Sequence, residues 1–310
     1  MIAHLKGREK LLGDFGWSGR KAEWIALVCL HSGVFTRRQA TRFLDTHHDR
    51  ARRMVHALIA QGLAAEETVP GIRGIGRVCR IYARRLYRAF GAEHIRHRRA
   101  ASPHVLVRRL LSLDYVIEHV DLPWLPTEPE KVAAFEALGI ERTLLPSRLY
   151  RGAIDDTRRY FPIKLPVALD SDRAVFVYAE PGHDTVTGIR SWGTAHRGLW
   201  SALARRGHSV EVVAVGRTRG ETERARRVLG RWSEASGRGE TDPRVRDELA
   251  RIERAIHRGA TEVLHEYGGL QAALKRSVAL EKEARRQAAQ GGLRRARTWR
   301  TRRLAGVLYR

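Results

Sequence analysis

Residues 33–69, GVFTRRQATRFLDTHHDRARRMVHALIAQGLAAEETV, decide how the first third of the chain folds. Thr36 followed three residues later by Gln39 has the form of a capping box, in which hydroxyl and amide each satisfy an orphan backbone N–H of a first helical turn. A short helix is therefore predicted from Thr36 to about Leu44. Thr46 with Asp49 repeats the device in weaker form. Beyond it Ala51, Met54, Val55, Leu58 and Ile59 recur at helical spacing until Gly62 stops the pattern. From Thr36 to Leu63 six arginines and three histidines stand against two aspartates. The question is whether that charge meets a polyanion or only water.

Outward from this stretch, residues 20–31 (RKAEWIALVCLH) place Trp24, Leu27, Val28 and His31 on one helical face, and Gly33 ends the segment. On the other side LAAEETV predicts a strand, PGIRGIG a glycine-rich turn, and RVCRIYA a second strand with Val78 and Ile81 among its apolar residues. Because GIRGIG sits between two strands rather than between a strand and a helix, a hairpin tip accounts for it better than a dinucleotide loop.

Three helices followed by a hairpin with a basic tip resemble the winged helix-turn-helix family over roughly residues 20–90. The resemblance implies that the third helix enters the major groove and that the wing lies on the backbone or in the minor groove. Carried onto this sequence, it places His47, His48, Arg50, Arg52, Arg53 and His56 off the apolar stripe, facing DNA. Arg37 and Arg38 would reach phosphates, as would Arg73 and Arg77 around the wing. Arginine suits either task, since its fork pairs with guanine edges or phosphates, and a helix N-terminus attracts phosphate on its own. His47 and His48 with Asp45 and Asp49 predict no metal site: neighbouring histidines on a helix point about 100° apart, and no cysteine lies near.

The charge of the whole chain points the same way. At 310 residues there is room for two domains, and a net charge of +24 with a pI near 11.2 calls for a polyanion: DNA, RNA or an anionic membrane surface. Residues 1–100 hold 20 Lys+Arg against 8 Asp+Glu, residues 101–215 hold 14 against 14, and residues 216–310 hold 24 against 12. Two basic ends thus flank a neutral middle. No run approaches the eighteen or so apolar residues of a membrane span, and MIAHLKGREK lacks the apolar core of a secretory signal, so the expected compartment is the cytoplasm. Cys29 and Cys79 are expected to be buried thiols rather than a disulfide.

In the middle third, SPHVLVRRLLSLDYVIEH predicts a helix. Pro123, Pro126 and Pro129 break the chain before another, RRYFPIKLPVALDSDRAVFVYAEPG predicts two strands joined at Asp170 to Arg173, and an amphipathic helix precedes the buried strand SVEVVAVG. This order resembles the core of restriction-endonuclease-like nucleases. A winged helix preceding such a core resembles the replication-relaxation proteins of plasmids and other mobile elements. In those nucleases an Asp and a Glu hold Mg²⁺ and a Lys two residues after the Glu positions water. Asp170 and Glu180 take the carboxylate positions here, but Pro181, Gly182 and His183 follow Glu180, leaving only Lys164 to substitute. The leading expectation is a degenerate core with no catalytic residue and no cofactor; the alternative is a Mg²⁺-dependent nuclease.

Beyond Arg217 no strand is predicted. SGRGETDP suggests a linker, and helices lead into a basic tail in which Arg294, Arg295, Arg297, Arg300, Arg302 and Arg303 surround Trp299 and could track a nucleic-acid backbone. The expected class is thus mixed α+β: an N-terminal arm (1–19), a winged helix-turn-helix (20–98), an α/β nuclease-like domain (99–232) and a basic helical C-terminal region (233–310). The expected partner is double-stranded DNA, with RNA, other protein subunits or a second copy in a homodimer as further partners, and no membrane.

Overall fold

The computed structural model describes residues 2–69, 77–152, 155–179, 185–236, 242–290 and 295–301, and it mixes helices with three separate sheets. Two 3₁₀ segments, Ala3–Leu5 and Arg8–Phe15, precede α1 (Gly19–His31). They do not form a loose arm. Leu5 and Leu12 are fully buried, Trp17 Nε1 donates to Gln61 Oε1 at 2.9 Å, and Arg8 Nη2 donates to Glu130 Oε1 at 2.8 Å. The two leucines and Trp17 bring apolar area whose burial draws the segment onto the core. Every residue of α1 from Ala22 to His31 is buried, so α1 is a central helix covered on all sides rather than one with a single apolar face.

The chain continues through β1 (Val34–Thr36), α2 (Arg37–Phe43), α3 (His48–Ala60), β2 (Ala64–Thr68) and β3 (Arg77–Ile81). β3 pairs antiparallel with both β1 and β2. The Thr36 capping box forms as expected: Thr36 N donates to Gln39 Oε1 at 2.8 Å, and Gln39 N donates to Thr36 Oγ1 at 3.2 Å. The weaker Thr46–Asp49 pattern does not. His47 caps α3 instead, its Nδ1 accepting from Asp49 N at 3.4 Å, while Thr46 Oγ1 is buried with no hydrogen-bond partner among the described residues. Asp45 at φ 46° turns the chain between α2 and α3, in the left-handed region that short polar side chains tolerate. Ala51, Met54, Val55 and Leu58 are buried, but Ile59 is 39% exposed. At about 100° per residue, Ile59 lies roughly 90° from the centre of that stripe.

Then come α4 (Arg84–Ala89), a 3₁₀ turn at Arg96–Arg98, α5 (Pro103–Glu118), α6 (Glu128–Ala137) and the hairpin β4 (Ser147–Tyr150) with β5 (Thr157–Tyr160). A four-stranded sheet follows: β6 (Val167–Leu169) runs antiparallel to β7 (Arg173–Ala179), and α7 (Thr185–Arg205) crosses over to β8 (Ser209–Gly216), parallel to β7. Residues 210–216 of β8 are all buried, as a continuous apolar run predicts. After α8 (Arg219–Ser236), α9 (Pro243–Arg258), α10 (Thr261–Glu266) and α11 (Leu270–Gln290), the chain returns as β9 (Arg295–Arg300), parallel to β8 at the edge of this sheet. A purely helical C-terminal region is therefore incorrect: Arg295–Arg300 contribute the last strand of the central sheet.

One continuous core runs from Ile2 to Leu229, so the N-terminal three-helix unit and the central sheet share an interior. Asp114 of α5, fully buried, bridges them: Oδ1 accepts from Gln39 Nε2 at 2.7 Å and Oδ2 from Thr301 Oγ1 at 2.6 Å. Helices α9–α11 enclose a separate small core that includes Val245, Ile252, Leu264 and Leu280. Cys29 and Cys79 are free and buried. Among the described residues no helix is long and apolar enough to cross a membrane.

Candidate nucleic-acid interface

The site is built from the first turn of α2 and the outer face of α3. Gln39, 1% exposed, closes the capping box and also donates from Nε2 to Leu110 O at 3.0 Å and to Asp114, so α2 is fixed to α5 at its start. The buried stripe of α3 sets its rotation. Because the stripe faces the core, Asp49, Arg52, Arg53 and His56 project to the opposite side with His48 and Arg50 flanking them, and all six are exposed.

The arginines of this region fall into two groups. Arg37, predicted to reach phosphate, is instead held in a two-pronged pair with Glu66 of β2: Nε to Oε1 and Nη2 to Oε2, both at 2.7 Å. Fork-on-carboxylate geometry of this kind is strong and directional, and it ties the start of α2 to the hairpin. Arg80 is likewise paired with Glu67, Arg20 with Glu23, and Arg84 and Arg88 with Glu93. By contrast the side chains of Arg38, Arg50 and Arg53 have no hydrogen bond or ion pair among the described residues. Arg52 has one contact, 3.6 Å from Asp49, and both side chains are more than half exposed. Such a surface pair is worth at most about 1 kcal/mol and exchanges readily for a phosphate. His47, 79% exposed at the N-cap, sits 3.3 Å from the same Asp49 carboxylate.

Arg77, 72% exposed, lies 3.9 Å from Glu66 at the base of the hairpin. Arg73, expected around the wing, lies outside the described residues.

The expected basic tail is only partly available for binding. Arg297 is drawn into a clamp: it pairs with Glu211, which is 3% exposed and also accepts from Arg173 Nη2 at 2.6 Å, and it donates to Tyr115 Oη at 2.9 Å. Trp299 meets Tyr115 edge-on at 5.4 Å between ring centres, as packing rather than as a stacking platform. Arg300 is exposed at the end of β9, whereas Arg294, Arg302, Arg303 and the side chain of Arg295 lie outside the described residues.

Of the nuclease candidates, Asp170 occupies the turn before β7, its Oδ1 accepting from Ser171 N at 2.8 Å, and Glu180 lies outside the described residues. Lys164 is not on a strand; it lies in the turn between β5 and β6 at φ 56°. Among the described residues no group of three or more His, Cys, Asp or Glu side chains is placed to hold a metal.

The β4–β5 hairpin was not predicted as a unit. It presents Arg148, Arg151 and Arg158 to solvent, with the Arg148 guanidinium 5.4 Å from the Tyr150 ring. Its signal was the recurrence of SRLYR and TRRYF on either side of Gly152, hidden because the second half merges into the apolar run that follows. Comparison with family models, with curated proteins and with solved structures finds no match for this chain.

Proposed function

We propose that this protein binds double-stranded DNA through α3, in the manner of a winged helix-turn-helix, and that its central sheet is a nuclease-like scaffold without catalysis. The observation that carries this reading is selective neutralisation. Within one small unit, buried or part-buried glutamates hold Arg20, Arg37 and Arg80, while Arg38, Arg50 and Arg53 have no side-chain partner among the described residues and Arg52 is weakly held. Guanidinium groups without partners among the described residues, presented together from α2 and α3, suit a polyanion. The order helix, strand, helix, helix, strand, strand, with β1 joined to the hairpin, supports the winged-helix reading, and so does the short turn at Asp45. A regulatory or replication-accessory role on a mobile element is the biological setting this reading suggests.

Fluorescence anisotropy with duplex DNA over a range of salt tests it. Each phosphate contact contributes about 0.9 to the slope of log affinity against log salt, so Arg52→Ala with Arg53→Ala lowers the slope by up to about 1.8 and weakens binding severalfold or more. Affinity unchanged by the double substitution at moderate salt refutes the assignment of α3.

A further inference from the structure

A second basic feature lies away from α3. Between the segment 94–97, the start of α6 and the turn after β5 is a cavity of about 80 Å³. A buried water needs roughly 10–15 Å³ of such space, so the cavity accommodates one tetrahedral oxyanion with its nearest waters. Arg96, Lys131, Arg159 and Lys164 line it against a single carboxylate, Glu128. Glu128 is already engaged: Oε1 accepts from Tyr160 N at 2.7 Å, and Oε2 lies 3.9 Å from Arg159 Nη1.

The cations are short of partners. Lys131 is 3% exposed; it donates to Leu165 O at 2.7 Å, its Nζ lies 5.5 Å from the centre of the Phe161 ring, and it has no ion pair among the described residues. The side chains of Arg96 and Lys164 have no hydrogen bond or ion pair among the described residues. His97, also on the wall and 4% exposed, has a buried Nδ1 with no hydrogen-bond partner among the described residues. Burial first, and then neighbouring cations, hold Lys131 down to about 7 and Lys164 down to about 8 against the opposing pull of Glu128.

The wall is rigid and partly strained. Arg109 grips the backbone carrying Arg96 and His97, donating to His97 O at 3.0 Å and to Arg96 O and Arg99 O at 3.4 Å. Phe161 and Lys164 hold left-handed φ values of 47° and 56° within one four-residue turn. That conformation costs a residue with a side chain roughly 1–2 kcal/mol. Beyond this turn lies a second, mainly apolar cavity of about 280 Å³, which shares Tyr150, Phe161, Pro162 and Lys164 with the first and is closed by Trp192 and His196 of α7.

We propose that the two compartments form one site for a phosphomonoester with a planar apolar body, the chemistry of a nucleoside monophosphate or of a 5′-phosphorylated strand end. The phosphate sits among Arg96, Lys131 and Lys164, and the ring lies against Tyr150, Phe161 and Trp192. Arg96 supplies a fork for two phosphate oxygens, while the lysines act as point charges. The site makes no use of α3, so it stands or falls independently of the duplex-binding reading.

Calorimetry of the full chain tests the proposal with inorganic phosphate, the four nucleoside 5′-monophosphates, the matching nucleosides, and single strands with a 5′-phosphate or a 5′-hydroxyl. At least one monophosphate is expected to bind about tenfold or more tightly than its nucleoside, and Arg96→Gln and Lys164→Gln each to weaken it by about tenfold. Both variants should keep the wild-type circular dichroism, and Lys164→Arg should restore binding. A mononucleotide that outbinds the phosphorylated strand identifies a free ligand, and the reverse identifies a strand end; either supports the site. Nucleoside binding equal to nucleotide binding overturns it, and so does binding unaffected in the folded variants. Absence of binding by phosphate, every monophosphate and the phosphorylated strand at millimolar concentration overturns it as well.

Discussion

Replacing Asp114 by alanine removes the contact that joins the start of α2 to the end of β9. Asp114 is 0% exposed, and its two oxygens accept from Gln39 Nε2 at 2.7 Å and Thr301 Oγ1 at 2.6 Å. Hydrogen bonds to a carboxylate contribute about 1.5–3 kcal/mol each, and the truncation also strands two buried donors, so the expected loss is about 3–6 kcal/mol. Gln39 keeps its bond to Leu110 O, which places the outcome toward the lower end. Urea denaturation followed by tryptophan fluorescence measures the loss. Asp114→Asn is the control: its oxygen still serves Gln39, and the Thr301 hydroxyl turns to accept from the new amide, so it costs only about 1 kcal/mol. In the Asp114→Ala background, Thr301→Val should add far less than it does alone, because the two changes delete the same bond. A loss below about 1 kcal/mol for Asp114→Ala, or full additivity with Thr301→Val, refutes the bridging role.

Gly33 ends α1 at φ 73°, and a Cβ there would stand 2.4 Å from His97 O; Gly33→Ala should therefore cost about 3 kcal/mol or more, read as a lowered urea midpoint. Burial holds His4 and His196 down to about 4, and His31 and His97 well below their ordinary value. Between about pH 6.5 and 4 the unfolded chain takes up protons that the fold refuses, so stability falls with acid by up to about 1.4 kcal/mol per pH unit for each histidine. His196→Phe, in a site already lined by Phe161, Phe176, Trp192 and Trp200, should flatten that dependence, and an unchanged acid slope counts against it. Arg297→Ala leaves Glu211 with Arg173 alone and should speed amide exchange in residues 296–301 without altering α3; uniform exchange across the chain counts against a local clamp.

Helices α1 to α3 and strand β2 were legible because local signals decide them, a capping box, a 3.6-residue stripe and a glycine stop each acting within a few residues of chain, whereas β1 and the packing of residues 3–15 were not. The β6–β7 hairpin and β8 were legible for the same reason. Two further features escaped because their causes are distant in sequence. β9 carries arginines at 295, 297 and 300, which in isolation suggest a solvated tail. It is a strand because β8 offers an open edge and Glu211, more than eighty residues earlier, draws in Arg297. The cavity wall escaped because Arg96, Lys131 and Lys164 come from three separate segments, and none of the three stretches carries a motif of its own.

The same distance effect explains why a count of arginines misleads. Arg37 and Arg38 are neighbours in sequence and look alike there, yet Arg37 is clasped by Glu66 from β2 while Arg38 is exposed and unpaired among the described residues. A carboxylate that folding brings within reach turns an arginine from a binding group into a tie, with geometry the isolated sequence cannot supply. The tie serves its neighbour: with Arg37 anchored to the hairpin and Gln39 anchored to Asp114, the first turn of α2 is held at both places. Arg38, Arg50, Arg52 and Arg53 are then presented from helices whose own positions are fixed. Fixed donors lose less freedom on meeting an anion than mobile ones do, so under the proposed duplex-binding reading the paired arginines would contribute through the rigidity they lend to the others.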